Sequence, residues 1–137
     1  AHIIDLMPTF LDAAGAGYPN VFNQQSTKPL NGVSLVNVFK GENLANRNLY
    51  WEHQANRAIR VDDWKLVSMS TEEKPYVGPW ELYDLKTDKT ERFNLALKFP
   101  EKVKELEAAW NKWASENNVF PLNGKDLKLR GLEFKRN

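Results

Sequence analysis

The residues of this sequence with the widest chemical repertoire stand in one short string, WEHQANR, which runs from Trp51 to Arg57. The His53 imidazole in this string can donate and accept hydrogen bonds, and near neutral pH it can also carry a charge. Two interpretations remain open. In the structural one, Glu52 pairs with Arg57 across a hairpin and His53 makes a backbone hydrogen bond. In the functional one, the turn carries Glu52, His53 and Asn56 into a binding pocket shared with another domain.

Other catalytic or metal-binding constellations are not indicated. The chain has no cysteine, which excludes disulfides, thiol nucleophiles and zinc–thiolate sites. It has neither a G-x-S-x-G nucleophile elbow nor a glycine-rich phosphate loop, and Ser34 is predicted to cap a helix. The two histidines, His2 and His53, lack partners at ligand spacing, so no catalytic residue and no metal site is predicted within the chain. The pair Asp62-Asp63 is interpreted as a turn rather than as a cation site.

The remaining aromatic and basic clusters favour structural roles. Trp110 and Trp113 repeat at helical spacing with Val103 and Leu106, which favours core packing over sugar stacking. The basic tail from Lys125 to Arg136 has acidic residues interleaved, as is typical of a solvated face. The net charge of +1 does not indicate a nucleic-acid partner. No apolar run approaches the roughly 20 residues of a membrane span.

The WEHQANR string belongs to a longer region, Leu49 to Leu85, in which residues alternate in character. A period of two places alternate side chains on opposite faces of a sheet. Val61 to Trp64 is a tight connection between two such runs and predicts a hairpin. A two-stranded hairpin would be marginal alone, so we expect a four-stranded antiparallel meander with one face covered. The four alternating runs are residues 49–53, 57–61, 64–67 and 80–84.

Helical patterns flank the predicted sheet. Apolar residues between Ile3 and Leu11 fit an amphipathic helix, for which Asp5 or Thr9 is the expected cap and Gly15 and Gly17 the end. An irregular connection is predicted from Tyr18 to Gly32, followed by a short helix from Leu35 to Phe39. The strongest helical pattern begins at Pro100 and runs to about Asn117, and just before it Phe93, Leu95 and Leu97 are expected to pack. The predicted fold class is α+β: a small four-stranded antiparallel sheet with a C-terminal helix packed on one face, preceded by a helix and an irregular segment.

Five strings in order resemble the C-terminal portion of a bacterial sulfatase of the arylsulfatase type, in the alkaline-phosphatase-like superfamily. They are HIIDLMPTFLDAAG, NGVSLVNVFKGE, LYWEHQANRAIRVDDWKLV, PWELYDLKTDKTERFNLA and FPEKVKELEAAWNKWA. The resemblance implies that residues 1–48 end the catalytic domain and its connection. It implies that residues 49–137 form the C-terminal subdomain.

The resemblance also implies what the parent enzyme does. It would hydrolyse a sulfate ester, an aryl sulfate or a sulfated glycan, with a formylglycine nucleophile and a calcium ion. Formylglycine arises from a C/S-x-P-x-R motif, which this chain lacks, so the fragment alone is expected to be inactive. Its own role would be structural, lining part of the substrate pocket with Glu52, His53 and Asn56.

The expected partners and location follow from the same resemblance. The chain begins at Ala1 rather than at a methionine, so it is interpreted as a piece of a longer protein. Neither a nucleic acid nor a membrane is expected as a partner. The expected partners are the N-terminal catalytic domain and the sulfate-ester substrate, with self-association possible for the isolated fragment. The implied location is periplasmic or secreted. The alternative function is a small aromatic-rich carbohydrate- or peptide-binding module.

Overall fold

The computed structural model describes residues 1–70 and 78–120. The basic tail from Lys125 to Arg136, predicted to be a solvated face, lies outside the described residues. The chain divides into two compact units, Ala1–Asn46 and Arg47–Asn137, and each is described by itself.

The first unit begins with a 3₁₀ turn, Ile3–Asp5, that leads into helix α1, Leu6–Ala13. Strands β1, Val21–Phe22, and β2, Gln25–Ser26, then pair antiparallel, and helix α2, Val36–Phe39, follows. The prediction of an irregular connection from Tyr18 to Gly32 is therefore wrong at this hairpin. The turn needs two residues with positive φ, and Asn23 and Gln24 supply them at 48° and 62° without the usual glycine.

The buried Asp5 carboxylate joins the start of the first helix to the segment before α2. One oxygen accepts from the His2 backbone N–H at 2.7 Å, and the other accepts from the Val33 N–H at 3.1 Å. Thr9 continues this connection, since its hydroxyl donates to the Asp5 carbonyl at 2.6 Å and accepts from the Leu35 N–H at 3.0 Å. His2 is the N-cap of the 3₁₀ turn, and Asp5 completes a capping box with it. Asp5 also holds the N-cap position of α1, as expected from the sequence, but its side chain makes no cap hydrogen bond to that helix.

The segment between Asp5 and α2 contains one position that only glycine can fill. A Cβ at Gly32 would lie 1.9 Å from the Ile4 carbonyl oxygen, so a larger residue there would push this backbone away. Two residues further on, Ser34 Oγ accepts from the N–H of Val36 at 3.2 Å, but the N-cap position of α2 is Leu35, so the predicted cap at Ser34 lies one residue too early.

The second unit contains the predicted four-stranded antiparallel meander. Its strands are β3, Leu49–His53; β4, Asn56–Val61; β5, Trp64–Ser68; and β6, Glu81–Asp84. They lie in the order β3-β4-β5-β6, so each strand pairs with its neighbour in sequence. Helix α3, Pro100–Glu116, packs on this sheet. The α+β prediction is confirmed.

The register of the strands gives the sheet two distinct faces. Tyr50, Ile59, Leu66 and Leu82 are cross-strand partners in one row. This row meets Leu106, Trp110 and Ala114 of α3, and these helix residues are no more than 1% exposed. We call the side that α3 covers the covered face, and the opposite side, which carries Trp51, Ala58 and Val67 in one row, the open face. The two faces alternate along each strand as expected from the pleat.

Trp110 and Trp113 pack on the sheet as the helical spacing predicts. Trp110 is fully buried, and its indole N–H donates to the Trp51 carbonyl at 3.0 Å. Trp113 stacks on Tyr50 with ring centroids 5.0 Å apart and an interplanar angle of 5°. The helix is therefore fixed to the sheet both by apolar burial and by a directional hydrogen bond.

The segment before α3 packs less than expected. Leu95 contacts the core cluster, but Phe93 is 66% exposed and Leu97 is fully exposed, so the prediction that all three pack is wrong. The backbone explains the difference, because the segment follows the outer edge of β6. The Leu95 N–H donates to the Leu82 carbonyl at 2.8 Å, and the Asn94 side-chain oxygen accepts from the Leu82 N–H at 3.1 Å.

We expect Trp110→Ala to lower the free energy of unfolding by about 3–5 kcal/mol, the usual cost of truncating a large buried aromatic residue. The variant loses core volume and leaves the Trp51 carbonyl without this donor. Urea melts of the two proteins would measure the difference, with the exposed Lys112→Ala on the same helix as a control. A loss below about 1 kcal/mol would contradict the packing described above.

Candidate functional site

The three predicted site residues lie together at the hairpin that joins β3 to β4. Gln54 and Ala55 form its turn, with φ values of 54° and 63°. Ala55 is fully buried, and an alanine in this left-handed conformation is held against its own preference. The Glu52 carboxylate supports it by accepting from the Ala55 N–H at 2.9 Å.

Asn56 fastens the same turn to the end of β5. Its side-chain oxygen accepts from the Ser70 N–H at 2.9 Å, and its side-chain amide donates to the His53 carbonyl at 3.0 Å. Glu52 and Asn56 therefore hold the shape of the turn through backbone contacts.

The His53 imidazole is presented at the surface of this turn. Its side chain is exposed, and no hydrogen bond to it is found among the described residues. It projects from the open face, because His53 and Asn56 are partners in the same register as Trp51 and Ala58. The hydrogen bonds of Glu52 and Asn56 fix the turn, and the turn presents the exposed imidazole of His53. An exposed imidazole on a fixed turn is well placed to contact a ligand.

Arg57 points to the covered face, away from His53. It is 8% exposed, and its guanidinium carbon lies 4.0 Å from the Trp80 ring centroid and 5.7 Å from that of Trp110. Its Nη2 also donates to the Gly78 carbonyl at 3.3 Å, and the Ser68 hydroxyl donates to the same oxygen at 2.7 Å. Arg57 thus stabilises the core by cation–π contacts and hydrogen bonds. Glu52 is its cross-strand partner, as the structural interpretation expects.

A cleft of about 630 Å³ opens further along the open face. Trp51 and Ala58 lie side by side in its wall, and Arg60, Lys65, Lys89 and Glu91 add charged groups. Sequence reasoning missed this cleft. Its residues come from three strands and a loop, and along each strand they alternate with core residues.

The loop after β6 brings Lys89 and Glu91 to the sheet. The Asp88 carboxylate accepts from the N–H groups of Arg92 and Phe93 at 2.7 and 2.8 Å, which folds the loop back on itself. The hydrogen bond from Phe93 has the largest effect on the pKa of Asp88, and together the two bonds lower it. Because the loop folds back in this way, Glu91 Oε1 lies 2.5 Å from Lys65 Nζ, and the two side chains form an ion pair in the wall of the cleft.

Tyr83 adds a polar group to the open face beside Lys65. Its hydroxyl donates to the Glu81 carboxylate at 2.6 Å. This hydrogen bond, with burial and the negative charge of Glu81, raises the pKa of Tyr83 to about 12. The phenol therefore stays neutral at physiological pH and remains a donor to Glu81.

Metal ligands are not assembled within the described ranges 1–70 and 78–120. No group of three or more histidine and carboxylate residues is placed to hold an ion there. His2 is occupied at the helix start, where its Nδ1 accepts from the Ile4 N–H at 3.4 Å. Asp62 forms the β4–β5 turn with a φ of 52°. In the same part of the chain, no helix is long and apolar enough to cross a membrane.

The family model and the relatives that match this chain all belong to sulfatases. Residues 1–116 match the family model described as N-sulphoglucosamine sulphohydrolase, C-terminal. Arylsulfatase K of Canis lupus familiaris is 33% identical over 111 residues, which is 77% of this chain and 20% of the relative. The N-acetylglucosamine-6-O-sulfatase of Bacteroides thetaiotaomicron is 32% identical over 114 residues, which is 75% of this chain and 19% of the relative.

A solved structure shows that the fold is shared. It is the structure of BT4656 in complex with its substrate D-glucosamine-2-N,6-O-disulfate. The TM-score is 0.59 at 24% identity, covering 85% of this chain and 24% of that one. The chain thus spans about a fifth of the length of the two curated relatives. The family match covers most of the chain, and the chain belongs to the family of sulfatase C-terminal regions described as N-sulphoglucosamine sulphohydrolase, C-terminal.

Proposed function

We propose that this chain is the C-terminal part of an enzyme that hydrolyses sulfate esters, and that it forms one wall of the substrate pocket. The family match over residues 1–116 carries the proposal, and the names of the sulfatase relatives support it. The same matches favour this function over an autonomous carbohydrate- or peptide-binding module. The substrate class is a sulfate ester of an aryl group or of a sugar.

The groups that break the bond belong to the rest of the parent protein. The sequence lacks the C/S-x-P-x-R string from which a formylglycine arises. The described residues also do not fit a calcium site, because no suitable cluster of ligands is assembled among them. We therefore assign calcium and formylglycine to the catalytic domain and derive no catalytic step from this chain.

The contribution of this chain is substrate orientation by the turn from Glu52 to Asn56. A sulfate ester is anionic and its sugar or ring carries hydroxyl groups, so an exposed imidazole suits it as a hydrogen-bonding partner. His53 supplies that group, while Glu52 and Asn56 fix the turn beside it by the hydrogen bonds to Ala55 and Ser70. Such preorganisation reduces the entropy lost when the substrate binds.

The first helix supplies a contact with the rest of the catalytic domain. The apolar side chains of the first helix are largely exposed: Ile3 is 76%, Met7 54% and Phe10 64% exposed. Several exposed apolar side chains on one short helix favour an interaction site. We assign residues 1–48 to the end of the catalytic domain, so that this surface is covered in the parent protein. We also assign a periplasmic or secreted location.

The full-length protein should release sulfate from a chromogenic aryl sulfate or a sulfated glucosamine, whereas this chain alone should not. The chain lacks a nucleophile motif and an assembled metal site in its described part, so charge in the transition state finds no stabilisation. The test is the rate of sulfate release by the full-length protein and by this chain alone, each measured against a buffer blank. Turnover by the purified chain would refute the proposed division of labour.

The isolated chain should self-associate through the first helix at high concentration, because its apolar surface is exposed. Replacing Met7 and Phe10 by serine should restore the monomer, as measured by light scattering after size exclusion. Phe39→Ser is the control, since Phe39 is 74% exposed but lies on α2. A strict monomer of the unaltered chain, with an ordered first helix, would contradict the assignment.

His53→Ala should lower kcat/KM of the full-length enzyme roughly ten- to a hundredfold, equivalent to about 1.4–2.7 kcal/mol of transition-state stabilisation. Its stability should change little, because the imidazole is exposed. Asp63→Ala in the exposed turn at the other end of β4 is the control for both kinetics and melting. Unchanged kinetics together with a sharp fall in Tm would show that His53 is structural.

A further inference from the structure

Two hydrogen bonds connect the turn that carries His53 to the end of strand β5. Both are made by the Asn56 side chain: its amide donates to the His53 carbonyl at 3.0 Å, and its oxygen accepts from the Ser70 N–H at 2.9 Å. The backbone of His53 is therefore tied to the path of the chain as it leaves β5 at Ser68. A contact that fixes this path also fixes, through Asn56, the backbone that carries the imidazole.

Ser68 fixes the chain where it leaves β5. Ser68 is buried, with 3% of its surface exposed, and its hydroxyl donates to the Gly78 carbonyl at 2.7 Å. Gly78 lies in the segment that leads into β6, so this bond joins the end of β5 to the approach to the next strand. The register places the bond at the same end of the sheet as the His53 turn, because Ser68 pairs with Arg57, which directly follows Asn56.

The backbone of Gly78 lies directly against the end of β5. A Cβ at Gly78 would lie 1.6 Å from the Met69 carbonyl oxygen and 3.0 Å from Ser68 Oγ. Glycine permits this close approach, and the approach brings the Gly78 carbonyl within reach of the Ser68 hydroxyl. The chain from Ser68 to Ser70 is thus held at one end by Gly78 and at the other by Asn56.

Two side chains among the described residues donate to the Gly78 carbonyl, and the Ser68 hydroxyl makes the shorter bond. Arg57 Nη2 donates from 3.3 Å, which is beyond the usual range for an N–H donor, whereas 2.7 Å is typical of a hydroxyl. Arg57 is held independently by its contact with the Trp80 ring. Loss of the Ser68 hydroxyl would therefore leave the fold in place and loosen the end of β5.

The position of Ser68 also calls for a task for its hydroxyl. Ser68 lies on the covered face, two residues along β5 from the buried Leu66, where an apolar side chain would add hydrophobic stabilisation. A buried hydroxyl costs free energy unless it is hydrogen-bonded, and the bond to Gly78 offsets this cost. Because His53 projects from the open face, Ser68 can act on a ligand there only through the backbone.

We propose that Ser68 is a positioning residue for His53. Its hydroxyl fixes the Gly78 carbonyl, this junction fixes the backbone at Ser70, and Ser70 holds Asn56 and with it the turn that presents the imidazole. The inference rests on the proposed function, in which His53 orients the substrate. It adds to that function a residue on the opposite face of the sheet that acts without touching the substrate.

The test compares two variants of the full-length enzyme, Ser68→Thr and Ser68→Val. The new side chains have nearly the same shape, but only threonine keeps the hydroxyl. Ser68→Val should lower kcat/KM on a chromogenic aryl sulfate or a sulfated glucosamine about tenfold, because a small displacement of an orienting group is costly. Ser68→Thr should stay close to the unaltered enzyme. Ser68→Ala removes the hydroxyl without adding volume and should behave as Ser68→Val does.

A double-mutant cycle shows whether the effect passes through His53. If Ser68 acts through the imidazole, Ser68→Val should cost little in an enzyme that already carries His53→Ala, so the two losses should not multiply. Ile59→Val is the control for stability, because it removes a buried carbon from the core of the same sheet. It should lower Tm and leave kcat/KM unchanged.

Hydrogen exchange separates this inference from the proposed function, because it needs no activity. The amides of Ala55 and Ser70 are bonded to Glu52 and Asn56, so their exchange reports the order of the turn. Peptides of the full-length protein that contain these amides should exchange faster in Ser68→Val than in Ser68→Thr. If the protein hydrolyses neither ester, the proposed function fails, while exchange still decides whether Ser68 fixes the turn.

Three results would overturn the inference. Equal kcat/KM of Ser68→Thr and Ser68→Val would show that the hydroxyl has no such task. Losses that multiply in the variant that also carries His53→Ala would show that Ser68 acts independently of the imidazole. Equal exchange in the threonine and valine variants, or an equal loss of kcat/KM in Ile59→Val, would reduce Ser68 to a contribution to the stability of the fold.

Discussion

The hydrogen bond from the Trp110 indole to the Trp51 carbonyl is the interaction on which the second unit depends. It joins the centre of α3 to the edge strand β3, and the large buried ring beside it fills the space between helix and sheet. Because the pleat sends the Trp51 side chain to the opposite side, one residue serves both faces. Its backbone holds the helix, and its indole forms the wall of the cleft.

Much of the second unit could be predicted from sequence because its signals are local. Alternation marks the strands, and the spacing from Val103 to Trp113 marks the buried side of α3, since each pattern reflects one repeating geometry. The hairpin at residues 21–26 was missed, because its turn uses Asn23 and Gln24 where glycine is the usual signal. Phe93 and Leu97 were expected to pack, but the backbone of their segment follows the edge of β6 and leaves them outside.

The candidate site was only partly accessible to the same reasoning. Glu52, His53 and Asn56 are close in sequence, so their convergence on one turn was predicted. The cleft depends on cross-strand register, which pairs Trp51 with Ala58 and Arg60 with Lys65, and on the fold of the loop around Asp88. Neither feature has a periodic signal in the sequence. The distinct tasks of Glu52 and Asn56, which hold the turn, and of His53, which is presented on it, also emerge only from the hydrogen bonds.

The segment that follows β6 has a consequence for how this sheet behaves among other chains. The outward backbone groups of an edge strand are a template for a foreign strand, and this is a common route to aggregation. Here Asn94 and Leu95 occupy the N–H and carbonyl of Leu82, and the turn after β6 occupies the carbonyl of Asp84. The molecule thus closes this border of its sheet with its own polypeptide, which protects against amyloid-like growth from that side.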